Sequence, residues 1–100
     1  MDADRLIDAD AANAIIGANL RALRAKRKLS RAAMHELTGI PAITIRRIED
    51  GKRDAPAVVL LALCQALGVN AGEFLDHVQR ELKEAGGIHP RRTGSSDDLP

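Results

Sequence analysis

Histidine, cysteine and carboxylate side chains are where reaction chemistry would show first, and in this chain they do not converge. His35, His77 and His89 fall on different predicted elements, with no HExxH-like or Cys/His ligand spacing among them. There is no glycine-rich phosphate loop and no serine elbow. Asp76, Glu81 and Glu84 carry the spacing of the wet side of a helix. The sequence therefore predicts a non-enzyme with no catalytic residue, no metal and no cofactor. Its cations point elsewhere. Between residues 16 and 53 ten lysines and arginines stand against three carboxylates, Glu36, Glu49 and Asp50. Most compensating aspartates lie in the first ten residues and the C-terminal tail, so a formal net charge of +1 conceals a basic island suited to a polyanionic partner.

The elements that must present these cations are legible in the run Ser30 to Gly51, SRAAMHELTGIPAITIRRIEDG, which reads as two short helices around a tight turn. Ser30 offers a side-chain oxygen as N-cap for a helix reaching about Thr38. Gly39 can take the left-handed conformation that stops it, and Ile40, preceding Pro41, is biased away from helix. Pro41 suits the first position of a second helix, because its missing N–H costs nothing there. From Ala42 to Asp50 that helix buries Ile45 and Ile48 and turns Ala42, Ile43, Arg46 and Arg47 outward, until Gly51 ends it. Two helices crossing over such a turn form a helix-turn-helix motif.

One hundred residues suit a single core, and 45% hydrophobic with 1% aromatic residues predicts helices packed through Leu, Ile, Val and Ala. Residues 1–12 read as an acidic, loosely docked arm. A first helix, capped by Asp10 or Asn13, runs to about Lys26 with Ile16, Leu20 and Leu23 on one face. Another spans Ala57 to Leu67 and closes at Gly68. Asn70 and Glu73 resemble a capping box for a fifth helix that continues to Gly86–Gly87. In its 76–86 extension, beyond a domain at 13–75, Leu75, Val78, Leu82 and Ala85 keep one face apolar, which asks either for the domain's own surface or for a second protomer. Residues 87–100 read as disordered. Cys64 stands alone in an apolar helical pattern, more simply a small buried hydrophobe than a redox sensor. The lone cysteine, the acidic N-terminus and the lack of a membrane-length apolar run predict a cytoplasmic protein.

The segments IGANLRALRAKRKLS, LTGIP, TIRRIEDGKR and LLALCQALGVNAGEFL, from Ile16 to Leu75, resemble the Cro/C1-type (XRE-like) helix-turn-helix family of prokaryotic and phage regulators. The resemblance implies an all-α, five-helix, lambda-repressor-like domain whose second and third helices form the motif, with an extended last helix. It implies a sequence-specific regulator of double-stranded DNA, most naturally a repressor that binds a two-fold operator as a homodimer. An antitoxin-like module, binding a protein partner through the C-terminal helix, is the alternative. Carried over by position, Arg31, Ala42, Ile43 and Arg47 approach base edges, while Ser30, Arg46, Lys52 and Arg53 hold phosphates. Arg24 is expected to reach Glu49 and tie the first helix to the third. The chain departs from the family pattern at His35, where alanine is common, at Pro41 in place of a Ser or Thr cap, at Ala32 and Ala33 for glutamates, and at Leu37. Of these, His35 puts the docking angle of the two motif helices in doubt.

Overall fold

The structure is a computed structural model that describes residues 6–91. Five helices follow in order: α1 (Ala9–Lys26), α2 (Arg31–Thr38), α3 (Ala42–Glu49), α4 (Ala57–Leu67) and α5 (Ala71–Glu84). Three begin on a side-chain cap, with Asp8, Ser30 and Asn70 accepting from the backbone N–H of Ala11, Ala33 and Glu73. Asp8, rather than Asp10 or Asn13, therefore opens α1, one turn earlier than its apolar pattern announces. Asn70 makes its half of the predicted capping box.

Four helices end alike. Lys28, Gly51, Gly68 and Gly86 have positive φ, and each is bracketed by the paired 5→2 and 6→1 backbone bonds of a Schellman turn, as in Lys28 N–H to Ala25 O and Leu29 N–H to Arg24 O. Lys28, at φ 55°, is the one non-glycine among the described residues in that region. Between α2 and α3 the turn is fixed by Gly39 at φ 75°, whose N–H returns to His35 O, and by Thr38 Oγ1, which donates to Met34 O and accepts from Ile40 N–H. His35 swings outward and its Nδ1 lies 2.8 Å from Ile40 O, a bond that requires the Nδ1–H form. The ring therefore spans the turn instead of wedging the two helices apart. Pro41 sits one place earlier than expected, as the N-cap whose carbonyl receives Thr44 and Ile45 N–H.

The core gathers Leu20, Met34, Ile45, Ile48, Leu60, Leu63, Cys64, Leu67, Phe74 and Val78 from all five helices. α1 and α3 approach so closely at Gly17 that a Cβ there would collide with the carbonyls of Ile48 and Glu49. Arg27 Nε donates to Leu67 O and satisfies a carbonyl at the end of α4.

At the C-terminal end the structure corrects the expected unspent face. Val78 and Leu82 are each 4% exposed, packed within their own protomer, and α5 folds back along α1. Asn19 Nδ2 donates to Glu81 Oε1, which also pairs with His77 Nε2, so polar contacts lock the same seam. Two more expectations change here. Ile7 and Ile88 form an antiparallel bridge, Asp8 N–H donating to Gly87 O and His89 N–H to Leu6 O. The start of the tail is thus paired with the end of the arm, and residues 9–12 of that arm belong to α1. Residues 1–5 and 92–100, to which the remaining arm and tail expectations apply, lie outside the described residues.

Candidate nucleic-acid interface

α3 presents two unlike faces, as its sequence pattern requires. Ile45 and Ile48 are 1% exposed, whereas Ala42, Ile43, Arg46 and Arg47 face solvent, Ile43 at 51%. Ser30 and Arg31 lie at the start of α2. Lys52 and Arg53, both exposed, follow the Gly51 turn at the C-terminal end of α3. Ser30 Oγ accepts from Ala33 N–H at 3.0 Å and keeps its hydroxyl proton as a donor. The loop beyond Arg53 is tied back to α1 by Asn13 Nδ2, which donates to Asp54 Oδ1 at 2.6 Å.

Behind this surface lies an arginine cluster built on one carboxylate. Glu49 has a side chain only 2% exposed, at the C-terminal end of α3. Arg24 meets it with a two-bond fork, Nε to Oε2 at 2.7 Å and Nη2 to Oε1 at 2.9 Å, and also donates from Nη1 to Leu29 O. Arg31 Nε adds a third bond to Oε1 at 3.0 Å. Burial pushes the Glu49 carboxyl up, but the hydrogen bonds and charges of Arg24 and Arg31 outweigh it and hold the group below the ordinary glutamate value. The bond to Glu49 raises Arg24 against the opposing effect of its own burial.

Arg31, expected at base edges, stands beside α3 with its Nε engaged by Glu49. A second pair went unread in the sequence. Arg21 Nη2 donates to Asp50 Oδ1, and Arg46 Nε lies 3.8 Å from Asp50 Oδ2. The signal was present, since Arg21 and Arg24 stand three apart on α1 and Glu49 and Asp50 are adjacent. Without the α1–α3 crossing, however, no pairing among them is specified.

A family model described as a helix-turn-helix domain matches residues 15–78, close to the whole of this arrangement. The chain belongs to that family. It is a DNA-binding transcriptional regulator of the Cro/C1 type. Among solved structures it is similar to the restriction-modification controller protein C.AhdI from Aeromonas hydrophila, at 29% identity and TM-score 0.60 over 62% of this chain and 94% of that one. It also resembles an HTH_3 family transcriptional regulator from Vibrio cholerae, at 25% identity and TM-score 0.64 over 71% of this chain and 40% of that one. The clp gene regulator ClgR from Corynebacterium glutamicum shares the fold at 19% identity, with TM-score 0.68 over 88% of this chain and 85% of that one. No curated protein matches by sequence. Among the described residues no cluster of His, Cys, Asp and Glu is disposed to hold a metal, and no single helix is long and apolar enough to cross a membrane.

Proposed function

We propose that this helix-turn-helix protein is a repressor that reads a two-fold operator as a homodimer, with α3 in the major groove. The observation that carries the reading is the exposed quartet Ala42, Ile43, Arg46 and Arg47 on a helix whose other face buries Ile45 and Ile48 and whose C-terminal end is flanked by Arg31, Lys52 and Arg53. The major groove admits one α-helix and offers distinct base edges. Ala42 and Ile43 have no side-chain donor or acceptor and fit thymine methyls; Arg47 fits guanine O6 and N7. Arg31 contributes its remaining edge. Ser30, Arg46, Lys52 and Arg53 take phosphates, which position the protein without reading sequence.

For the dimer, the more exposed candidate contacts are Leu75, at 43%, and Ala85, while Val78 and Leu82, each 4% exposed, help line an apolar groove of ≈ 260 Å³ that Leu75 borders together with Ile7, Ile16 and Ile88. That groove is the proposed seat of the second protomer. The alternative of an antitoxin-like module drew on a C-terminal apolar face left without a partner. With that face folded onto α1, no particular observation favours it.

Selection of bound duplexes from a random pool, for wild type and Arg47→Ala, tests the reading. The expected result is two related half-sites about one helical turn apart, each with a thymine step near a guanine, and loss of preference at the guanine alone in the variant. Loss of one good bidentate contact is worth about 1–3 kcal/mol of discrimination. Identical motifs from both proteins would remove Arg47 from the reading set, and single unpaired half-sites bound by a monomer would remove the dimer.

A further inference from the structure

Glu49 and Asp50 are adjacent, both acidic, and unlike in circumstance. The Glu49 carboxylate is 2% exposed and engaged by Arg24 and Arg31 inside the domain. The Asp50 carboxylate is 35% exposed, and each of its oxygens faces an arginine at the same end of α3 as Lys52 and Arg53. Oδ1 accepts from Arg21 Nη2 and Oδ2 lies 3.8 Å from Arg46 Nε. These arginine side chains are themselves 48% and 64% exposed. A carboxylate held between two guanidinium groups occupies the place a phosphate oxygen would take. Ion pairs this exposed are weak enough for another anion to exchange into them.

We infer that Asp50 is an internal stand-in for phosphate, which engages Arg21 and Arg46 in the free protein and must be displaced before they meet the DNA backbone. This rests on the reading that α3 enters the major groove. On unrelated sequence the protein is held by the general field of its cations, and the phosphate strand must compete with a carboxylate already in contact. On the cognate site, base contacts by α3 seat the strand against the two arginines, and the exchange goes to completion. The seated complex bears the full cost of displacing Asp50, and the loose one bears only what its incomplete exchange requires. Removing Asp50 raises affinity for both and lets the loose complex make phosphate contacts that otherwise only the seated one makes.

The experiment measures dissociation constants for an unrelated duplex and for a duplex selected by the wild-type protein, between 50 and 200 mM salt, with wild type, Asp50→Asn, Arg21→Ala and the double variant. Each phosphate newly neutralised adds about 0.9 to the logarithmic salt slope, roughly a 3.5-fold wider affinity range over that fourfold salt change. Asp50→Asn is expected to tighten binding to both duplexes, to steepen the slope on the unrelated duplex by about one to two units, and to leave the slope on the selected duplex nearly unchanged. Arg21→Ala is expected to leave the slope on the unrelated duplex nearly unchanged when Asp50 is present and to lower it by about 0.9 in the Asp50→Asn background. If the two substitutions are additive, or if Asp50→Asn steepens both slopes equally, Asp50 acts only through net charge and the inference is overturned. If the wild-type protein selects no preferred duplex, the major-groove reading fails and takes the inference with it. Thermal unfolding of each variant verifies that the fold is kept.

Discussion

Replacing Arg24 with methionine tests whether the Arg24–Glu49 fork is structural in the energetic sense. Methionine keeps most of the arginine stem and removes the charge, so packing loss is small. What remains is a carboxylate 2% exposed, with one bond from Arg31 Nε at 3.0 Å and Arg21 Nε at 3.8 Å. Removing one partner of a buried pair costs about 3–5 kcal/mol; the surviving Arg31 bond brings this case to or just below the bottom of that range, about 2–3 kcal/mol. A domain of this size loses about 4–8 °C in Tm per kcal/mol, so the midpoint should fall by roughly 10–20 °C. Urea unfolding followed by circular dichroism gives the same quantity at constant m-value. A loss below about 1 kcal/mol, the range of exposed pairs, would refute the reasoning.

The same substitution should change the acid limb. Because the folded-state pKa of Glu49 is lowered, its contribution to stability is complete above the ordinary value of 4.5 and is lost as pH falls through the lower folded value. In wild type, unfolding free energy should therefore decline with falling pH below about 4.5. In Arg24→Met the carboxylate has lost its strongest partner, its pKa rises, and this part of the decline shrinks or, once the folded value passes the ordinary one, reverses. Adding Glu49→Gln to Arg24→Met should recover part of the loss by removing the uncompensated charge. An unchanged acid limb in Arg24→Met would mean that Arg31 alone sets the ionisation of Glu49.

Three further substitutions have expected outcomes. Gly17→Ala drives a methyl into the carbonyls of Ile48 and Glu49, and should cost about 1–3 kcal/mol and weaken DNA binding by shifting α3; wild-type affinity and Tm would show that the helices slide apart freely. Lys28→Gly relieves a left-handed residue at φ 55° and should raise stability by about 0.5–1 kcal/mol in urea unfolding, although a cation is lost. Ser30→Ala removes the acceptor of Ala33 N–H and should cost about 0.5–2 kcal/mol, with a flatter salt dependence of DNA binding if the hydroxyl also meets phosphate.

What could be read from residues alone divides along a physical line. Helix ends marked by glycine at 39, 51, 68 and 86 were legible, because a positive-φ stop is written locally; Lys28 performs the same turn with no residue that announces it. The start of α1 was placed late because Asp8, Asp10 and Asn13 are all competent caps. The pairing of Leu6, Ile7 and Asp8 with Gly87, Ile88 and His89, which fixes that start, spans nearly the whole chain. Apolar periodicity in α5 revealed a face but not what it faces, since folding back and self-association require the same pattern. Val78 and Leu82 face α1, and Leu75 remains outside. At the interface, the outward set on α3 followed from its 3.6-residue period. The engagement of Arg31 by Glu49 and of Arg21 by Asp50 depends on the α1–α3 crossing, which no local signal specifies.

That crossing explains why so short a helix can read DNA at all. α3 has eight residues, fewer than the roughly 12–15 at which isolated helices become even marginally stable, so its shape and aim must come from packing. Gly17, Leu20 and Arg24 lie three and four residues apart on α1, along one stripe. Gly17 lets the backbones close onto the carbonyl end of α3, Leu20 joins Ile45 and Ile48 in the core, and Arg24 clamps the carboxylate of the last helical residue. One face of α1 therefore fixes α3 by backbone contact, by burial and by charge. Each of the three fails differently when perturbed: a shifted docking angle for Gly17, a cavity for Leu20, and a stranded carboxylate for Arg24. A substitution on that stripe should alter DNA affinity without contacting DNA, whereas one on the exposed quartet should alter sequence preference and leave stability almost unchanged.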